Sequence, residues 1–215
     1  MDLHRYIDHT LLKPNATEAE IIGLCKEAKE HQFASVCVNP CNVALVKKEL
    51  AQSGVKTCSV IGFPFGTHTT EVKYMETERA IADGADEIDM VINVGKLLEK
   101  NTAYTEKEIH ALTQLCHAKN ALLKVIVETC YLAEQDIAAI CAIIEKCGAD
   151  FIKTSTGYGS RGASLEDIRL FKKYLHKDTK IKASGGIRSR EDALKYLEAG
   201  CSRIGTSNGI KIIQG

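Results

Sequence analysis

Two lysines occupy closely similar positions late in the sequence. Lys153 lies in the segment DFIKTSTG (150–157), and Lys182 lies in KIKASGG (180–186). Each follows a short apolar run typical of a buried strand and precedes a loop of small residues. Lysine is rarely buried in a protein unless its charge is paired or used. Two such lysines on consecutive strands therefore indicate chemistry that uses a primary amine.

The useful property of such a pair is the repulsion between its charges. A free lysine, with a pKa of about 10.4, is neutral in only about one molecule in 2500 at pH 7. Neighbouring strands lie about 5 Å apart, so two inward-facing ammonium groups sit about 6 Å apart. At an effective dielectric constant near 20 they repel by about 3 kcal/mol, or about two pK units, and burial acts in the same direction. One amine is then neutral often enough to attack a carbonyl carbon and form a Schiff base.

A carboxylate must move the protons in such a reaction, and Asp89 is the candidate. In the strand segment EIDMV (87–91), Asp89 points away from the face of its two apolar neighbours, so it faces inward if they pack on helices. The same alternation turns Lys153 and Lys182 inward. The residues alone do not decide which of the two lysines is the nucleophile.

Lys124 shares a strand face with Glu128, between the strands of Asp89 and Lys153. We expect a polar Lys124–Glu128 layer to support the site. A buried ion-pair network without catalysis is the alternative for the whole set, because structural ion pairs also perturb pKa values. That alternative explains one lysine beside Asp89 well and a surplus of lysines on adjacent strands poorly.

Glycine-rich loops follow the last three predicted strands. They read GYG (157–159), GGI (185–187) and GTSN (205–208). Such loops expose backbone N–H groups, and the helix starts beyond them favour an anion. One glycine loop alone is a weak signal, but three at one end of a sheet predict a phosphate site. We expect Arg188, at the next helix start, to be solvated.

Composition excludes several classes of function. Lys+Arg 28 balances Asp+Glu 28 in 215 residues, so no net charge attracts nucleic acid or an anionic membrane. No run of 18 apolar residues or a signal-peptide core is present, which argues against a membrane span or secretion. The nine cysteines include no Cys-x-x-Cys pair, a pattern typical of reduced, buried thiols in a cytoplasmic protein. The seven histidines are scattered, so no metal site is predicted.

Short apolar segments alternate with helical patterns along the whole chain. Capping boxes, in which a hydroxyl and a carboxylate three residues later satisfy free amides, predict helix starts. They begin at Thr17, Thr105, Ser164 and Ser189. Glycines typical of helix ends precede several strands, namely Gly54, Gly84, Gly148 and Gly200. The predicted strands are Tyr6–Leu11, Phe33–Val38, Thr57–Ile61, Glu87–Ile92, Leu122–Val127, Asp150–Thr154, Lys180–Ser184 and Ser202–Thr206.

A repeated strand–helix unit must form a parallel sheet, because each helix returns the chain to the same end. Eight such units predict one α/β domain, residues 1–215, folded as a closed (β/α)8 or TIM barrel. An open doubly wound sheet is the alternative, and the lack of Gly-x-Gly-x-x-Gly after a first strand disfavours its dinucleotide-binding form. In a barrel the active site lies at the carboxyl ends of the strands, where the polar residues of this sequence cluster.

Six segments match a known family in the same order along the chain. They are IDHTLLKP (7–14), VIGFPFG (60–66), EIDMVIN (87–93), KVIVET (124–129), FIKTSTG (151–157) and IKASGGIR (181–188). On these segments the chain resembles the deoxyribose-phosphate aldolases, class I aldolases that form a Schiff base on a (β/α)8 barrel. The matches span nearly the whole chain, and jointly they are specific. One departure is Tyr158, which stands where some relatives have lysine and predicts a less basic phosphate site.

The resemblance implies a role for each of the three charged residues. Lys153 forms the Schiff base, Lys182 favours its deprotonation and transfers protons, and Asp89 is the proton donor and acceptor. The implied reaction, part of deoxyribose phosphate catabolism, is the reversible cleavage of 2-deoxy-D-ribose 5-phosphate to acetaldehyde and D-glyceraldehyde 3-phosphate. No metal or organic cofactor is implied, and a homodimer is expected from the family. The residues expected to bind substrate and phosphate are Gly157, Gly185, Gly186, Ser207, Asn208, Thr156, Cys37 and Asp8.

Two other functions remain open at this point. One is a different phosphosugar barrel enzyme, an isomerase or synthase, that uses Asp89 as a base without a covalent lysine. The other is a non-catalytic binder of sugar phosphates. Neither function needs two inward-facing lysines, and a single aldol-cleavage assay separates both from an aldolase.

Overall fold

The structure, a computed structural model, describes residues 2–215 and contains a closed barrel of eight parallel strands. The strands are β1 Ile7–Leu11, β2 Ser35–Val38, β3 Lys56–Ile61, β4 Glu87–Val91, β5 Leu122–Ile126, β6 Phe151–Lys153, β7 Lys180–Ser184 and β8 Arg203–Thr206. They follow one another around the barrel in chain order, and β8 pairs with β1. The predicted barrel is confirmed, the open sheet is excluded, and each strand end lies within two residues of its predicted position.

Helices connect consecutive strands and cover the outside of the barrel. In residues 2–215 the α-helices are α1 Glu18–Glu30, α2 Val43–Glu49, α3 Thr70–Ala82, α4 Val94–Leu98, α5 Thr102–Ala118, α6 Glu134–Cys147, α7 Leu165–Tyr174, α8 Arg190–Glu198 and α9 Gly209–Gln214. Short 3-10 helices cover Leu3–Tyr6, Pro40–Asn42 and Thr129–Tyr131. None of the helices in this part of the chain is both long enough and apolar enough to span a membrane.

Three of the four predicted helix starts are found. Thr17 and Glu20 form the capping box of α1, and Ser164 forms one with the third residue of α7. Ser189 caps α8 by accepting a hydrogen bond from the backbone N–H three residues later. The glycines predicted at helix ends all have positive φ, between 74° and 109°, a conformation that suits glycine and ends a helix.

The predicted start at Thr105 is wrong, because α5 begins one turn earlier. Asn101 caps this helix by accepting a hydrogen bond from the Tyr104 backbone N–H at 3.1 Å. Thr105 and Glu108 then fall inside the helix, on its buried side. The Glu108 carboxylate pairs instead with Lys73 of α3 at 2.7 Å, and both side chains are completely buried. When a sequence fits a capping box within one turn of the residue that caps the helix, tertiary contacts are needed to decide where the helix begins.

Alternation along the strands divides their side chains between two environments. Outward residues such as Ile88 and Met90 are fully buried in one large apolar core between the strands and the helices. Burial of each such side chain stabilises the fold by about 1.5–3 kcal/mol. A smaller inner apolar group, Cys37, Cys58 and Val60, packs inside the barrel. The rest of the interior holds the charged residues of the candidate site.

Candidate active site

Asp89, in the middle of β4, is the centre of the charges inside the barrel. Its Oδ1 accepts a hydrogen bond from the Lys124 ammonium at 2.8 Å. Its Oδ2 accepts from Lys153 and from Lys182, each at 2.7 Å. The strand register explains this convergence, because Asp89 is the β4 partner of Lys124, and Lys153 is the β6 partner of Lys182. The structure thus brings together the three residues that alternation turns inward, with a third lysine.

A second layer of charges lies closer to the amino ends of the strands. Asp8 accepts from Lys182 at 2.5 Å and from Arg203 at 2.6 Å. Glu87 accepts from Lys124 at 2.6 Å and from Arg203 at 3.1 Å. We define the inner charge cluster as Asp8, Glu87, Asp89, Lys124, Lys153, Lys182 and Arg203. Its four cations exceed its three carboxylates by one, so the fully ionised cluster carries one excess positive charge.

Ion pairing keeps most of the cluster ionised despite its burial. Burial alone raises the pKa of Asp89, but Lys124, Lys153 and Lys182 outweigh that effect and hold the pKa well below its ordinary value. Burial alone lowers the pKa of Lys182, but Asp8 and Asp89 outweigh it and raise the pKa. The pKa of Lys124 is raised in the same way, against burial, chiefly by Asp89. At neutral pH, Asp89 is therefore a carboxylate, and Lys124 and Lys182 are ammonium ions.

Lys153 differs from the other two lysines in its access to solvent and in its partners. It lines a cavity of about 290 Å³ at the carboxyl ends of the strands, and its side chain is 4% exposed. The side chains of Lys124 and Lys182 are 0% exposed. Lys153 pairs with one carboxylate, whereas each of the others has two within 2.8 Å. A small molecule in the cavity meets the amine of Lys153 first.

The cavity is formed by the loops that follow β1, β6, β7 and β8. Six residues expected to bind substrate or phosphate line it, namely Thr156, Gly157, Gly185, Gly186, Ser207 and Asn208. Lys13 and Arg188 also line it, whereas no Asp or Glu of residues 2–215 does so. Arg188 was expected to be solvated, and it is exposed at the cavity edge. This distribution of charge suits an anionic ligand.

The loops after β6 and β7 touch each other through their backbones. A Cβ atom on Gly162 would overlap the backbone of Gly185, and one on Gly185 would lie 2.8 Å from the Gly162 Cα. Only glycine fits at both positions. The Ala163 N–H donates to the Ser184 carbonyl oxygen at 3.0 Å across this contact. The two predicted phosphate loops are thereby held against each other at one side of the cavity.

Two residues expected to bind substrate, Cys37 and Asp8, do not line the cavity. Asp8 is fully buried, and its oxygens pair with Lys182 and Arg203. Cys37 belongs to the buried inner apolar group, and Leu12, which does line the cavity, packs against that group. Both residues are fully buried and lie behind the lining of the cavity.

The Sγ atoms of Cys37 and Cys58 and a carboxylate oxygen of Asp89 lie within 4.8 Å of one another. This spacing would suit a thiophilic metal ion. However, the oxygens of Asp89 already accept hydrogen bonds from three ammonium groups. Because an added cation would have to displace them against an excess of positive charge, we assign no metal site here.

The expected Lys124–Glu128 layer is wrong. Lys124 points to Asp89, whereas Glu128 accepts hydrogen bonds from the backbone N–H and the hydroxyl of Thr156. Sequence reasoning also missed Glu87 and Arg203. Glu87 lies two residues before Asp89, so the alternation rule was sufficient to place it on the same face. Alternation also turns Arg203 inward, since it precedes the outward Ile204 and is the register partner of Lys182, but its partners on β1 and β4 are set by the closed barrel.

The fold and site define a class of protein, a (β/α)8-barrel enzyme with a reachable lysine in a cationic cavity. The model of the DeoC/LacD family aldolases matches residues 3–215. The chain is 71% identical over 215 residues to a deoxyribose-phosphate aldolase of Treponema denticola and 52% identical over 215 residues to one of Finegoldia magna. Each match covers 100% of this chain and 100% of the relative. A tetrameric deoxyribose phosphate aldolase structure from Aeropyrum pernix matches with a TM-score of 0.92 and 32% identity, covering 99% of this chain and 89% of that one.

The chain therefore belongs to the DeoC/LacD aldolase family. It is an enzyme of the carbon–carbon lyase class. This membership disfavours both alternatives considered from the sequence, a non-catalytic binder and an isomerase or synthase.

Proposed function

We propose that this aldolase reversibly cleaves 2-deoxy-D-ribose 5-phosphate to acetaldehyde and D-glyceraldehyde 3-phosphate through a Schiff base on Lys153, in deoxyribose phosphate catabolism. The observation that carries the proposal is the access of Lys153. Of the three lysines that contact Asp89, it is the one that lines the cavity. The relatives in Treponema denticola and Finegoldia magna, which are named for this activity, support the choice of substrate.

A Schiff base requires a neutral amine, and the fully ionised inner charge cluster carries one positive charge more than its carboxylates balance. Lys124 and Lys182 each face two carboxylates, whereas Lys153 shares Asp89 with both of them. Loss of a proton from Lys153 leaves three cations facing three carboxylates. The electrostatic cost of an unbalanced charge in a buried site is thereby removed. This is the mechanism by which we expect the neighbouring lysine to activate the nucleophile.

The covalent steps follow from the neutral amine. The Lys153 Nζ adds to the C1 aldehyde of the open-chain sugar, the carbonyl oxygen is protonated and leaves as water, and a protonated imine remains. The C2–C3 bond then breaks, its electron pair forms an enamine, and the C3 hydroxyl loses a proton to become the aldehyde of the departing phosphosugar. Protonation of the enamine at C2 and hydrolysis release acetaldehyde and restore the amine. The imine is the electron sink, so no step requires a metal or an organic cofactor.

We assign the proton transfers to Asp89 and Lys182. Lys153 and Lys182 donate to the same oxygen of Asp89, each at 2.7 Å. A proton released at Lys153 thus lies one hydrogen bond from Asp89 and two from Lys182. Because this geometry already exists before substrate binds, proton transfer requires little reorganisation. General acid–base catalysis of this kind typically contributes about 10²–10⁴-fold to a rate.

The substrate phosphate is assigned to the side of the cavity that the loops after β6, β7 and β8 form. The proposed binding residues there are Thr156, Gly157, Gly185, Gly186, Ser207 and Asn208. Support comes from the lining, which holds cations and no carboxylate within residues 2–215. Backbone N–H groups of glycine loops are well suited to phosphate oxygens.

The test is an aldol-cleavage assay combined with chemical trapping. Purified protein should release acetaldehyde from 2-deoxy-D-ribose 5-phosphate, and borohydride reduction with acetaldehyde should leave an ethyl group on Lys153, located by peptide mass spectrometry. Lys153→Ala should lose both signals. The matched control is Lys180→Ala, an exposed lysine at the start of β7, which should retain both.

The two readouts separate the parts of the proposal. Cleavage that persists in Lys153→Ala would contradict the Schiff base and favour a barrel enzyme that uses Asp89 without a covalent lysine. An adduct on Lys153 without cleavage of the phosphorylated sugar would contradict the substrate and leave the lysine chemistry in place.

We further propose a homodimer and a cytoplasmic location. The free state of all nine cysteines supports a reducing compartment. The Aeropyrum pernix relative is described as tetrameric, so the assembly of this chain needs its own measurement. Sedimentation equilibrium should give twice the chain mass of 23.5 kDa, and a monomer or a tetramer would contradict the proposed dimer.

A further inference from the structure

Four residues from three strand ends form a continuous hydrogen-bonded connection across the mouth of the cavity. The Glu128 carboxylate, after β5, accepts from the backbone N–H of Thr156 at 3.2 Å and from its hydroxyl. Thr156 Oγ1 accepts from the Tyr158 N–H at 3.0 Å. The Tyr158 hydroxyl donates to the Leu12 carbonyl oxygen, after β1, at 3.0 Å. We call the connection Glu128–Thr156–Tyr158–Leu12 the rim strap.

The β5 end of the rim strap is firmly anchored. Glu128 is buried and adopts a left-handed backbone conformation, with φ at 54°, which a non-glycine residue keeps only when its surroundings hold it. The adjoining loop packs closely on it, because a Cβ atom on Gly159 would lie 2.6 Å from Cys130 Sγ and 3.2 Å from a Glu128 carboxylate oxygen. The carboxylate therefore serves to hold the loop that follows Lys153.

At the other end of the strap, the Leu12 carbonyl oxygen accepts a hydrogen bond from the Asn39 side-chain amide at 3.2 Å as well as from Tyr158. The Tyr158 ring meets the ring of Phe63 edge-on, with centroids 5.4 Å apart. The residue is 51% exposed, so burial does not fix its position, and its contacts with Phe63 and Leu12 must do so. Leu12 and the next residue, Lys13, both line the cavity. A hydrogen bond to the Leu12 carbonyl oxygen thus restrains the segment that carries Lys13.

Lys13 is one of few cations that face the cavity. Within residues 2–215, the lining contains Lys13, Lys153 and Arg188 as its basic side chains and no acidic one. Lys153 is the proposed nucleophile and pairs with Asp89, which leaves Lys13 and Arg188 for a negative group on the ligand. Lys13 is exposed, and Leu12 beside it accepts the hydrogen bond from the Tyr158 hydroxyl.

We propose that Lys13 is a specificity-determining cation for the phosphate of the substrate and that Tyr158 is the positioning residue that holds Lys13 there through the rim strap. The inference rests on the proposed function, since it takes the ligand to be a phosphorylated sugar. The proposal explains how the phosphate site is cationic although residue 158 is a tyrosine. The positive charge comes from Lys13, which lies on the segment that Tyr158 restrains.

The test compares a phosphorylated substrate with its unphosphorylated form. In Lys13→Gln, KM for 2-deoxyribose 5-phosphate should rise about 1.5- to 5-fold, the range for one exposed ion pair, while kcat falls much less. The ratio of kcat/KM between 2-deoxyribose 5-phosphate and 2-deoxyribose should fall by the same factor. Added salt should raise KM less steeply in Lys13→Gln than in the wild type, because one screened charge is gone.

Tyr158→Phe keeps the ring and removes the hydroxyl that reaches Leu12. It should show the same KM-directed loss, and the double variant with Lys13→Gln should be no worse than Lys13→Gln alone, because the two residues act through one contact. Tyr131→Phe is the matched control, since Tyr131 is similarly exposed at 55%, and Lys48→Gln is the control for charge. Both controls should retain the wild-type ratio.

Two results would overturn the inference. They are an unchanged ratio in Lys13→Gln, which includes equal losses on both sugars, and additive losses in the double variant. If the wild-type enzyme does not cleave 2-deoxyribose 5-phosphate, the proposed function fails separately, and titration with inorganic phosphate decides the inference. In that case weaker phosphate binding by Lys13→Gln and Tyr158→Phe supports it, and unchanged binding refutes it.

Discussion

The substitution Lys182→Met should move the acidic limb of the pH–rate profile for Schiff-base formation upward. The Nζ atoms of Lys153 and Lys182 each lie 2.7 Å from the same Asp89 oxygen. They are therefore at most about 5.4 Å apart, where two unit charges repel by about 3 kcal/mol at an effective dielectric constant near 20. That energy corresponds to about two pH units.

The direction of this pH shift follows from the net charge of the inner charge cluster. Burial lowers the pKa of Lys182, but Asp8 and Asp89 outweigh burial and raise it, so Lys182 carries a full charge throughout the assay range. The wild-type cluster has one excess positive charge, and the variant has none. A proton is then held more tightly by the variant, and a higher pH is required to release it.

The assay is the initial rate of borohydride-trapped acetaldehyde adduct on Lys153 as a function of pH. Lys182→Arg retains the charge and should keep the limb near its wild-type position, even if the altered shape lowers the rate. Lys180→Met, at the exposed start of the same strand, should behave as the wild type. A limb that does not move in a folded Lys182→Met protein would refute the electrostatic reasoning.

Three further predictions concern the same charges and a second buried pair. Asp89→Asn should lower kcat by at least about 100-fold, the lower end for a lost acid–base group, and a fall below tenfold would remove Asp89 from proton transfer. Lys73→Met should reduce the free energy of unfolding by about 3–5 kcal/mol, because Glu108 is left buried without its ion-pair partner. Denaturant unfolding should show that the double variant with Glu108→Leu recovers most of this loss. Stability should fall below pH 3.8, the ordinary pKa of a carboxyl such as Asp8, because a depressed folded-state pKa contributes stability above that value and loses it as pH falls. Thermal unfolding at pH 3 and pH 6 checks this, and equal transition temperatures would contradict it.

The barrel and the inward lysines could be predicted because their signals are local. A strand–helix repeat forces parallel strands, and alternation along a strand decides which face a side chain occupies. The pairing of Lys153 with Lys182 follows from these two rules, and the register confirms it. The cap of α5 shows the limit of local signals, since Thr105 fits the pattern and Asn101 takes the role.

Alternation predicts a face but not a depth along the barrel axis. Depth depends on how far each strand is staggered against the next, which is a property of the closed barrel. The resemblance implied that Asp8 and Cys37 bind substrate, whereas the barrel buries Asp8 beside Lys182 and packs Cys37 into the inner apolar group. The choice between Lys153 and Lys182 as the accessible amine depends on the same stagger.

Residue types and spacing were thus sufficient for the fold class, the strands and the converging charges. The register of β4 against β5 was needed to show that Lys124 pairs with Asp89 rather than Glu128. Closure of the barrel was needed to bring Arg203 on β8 to Asp8 on β1. This last contact joins strands that are far apart in the chain, and it arises because the last strand hydrogen-bonds to the first, an arrangement that no short segment of sequence encodes.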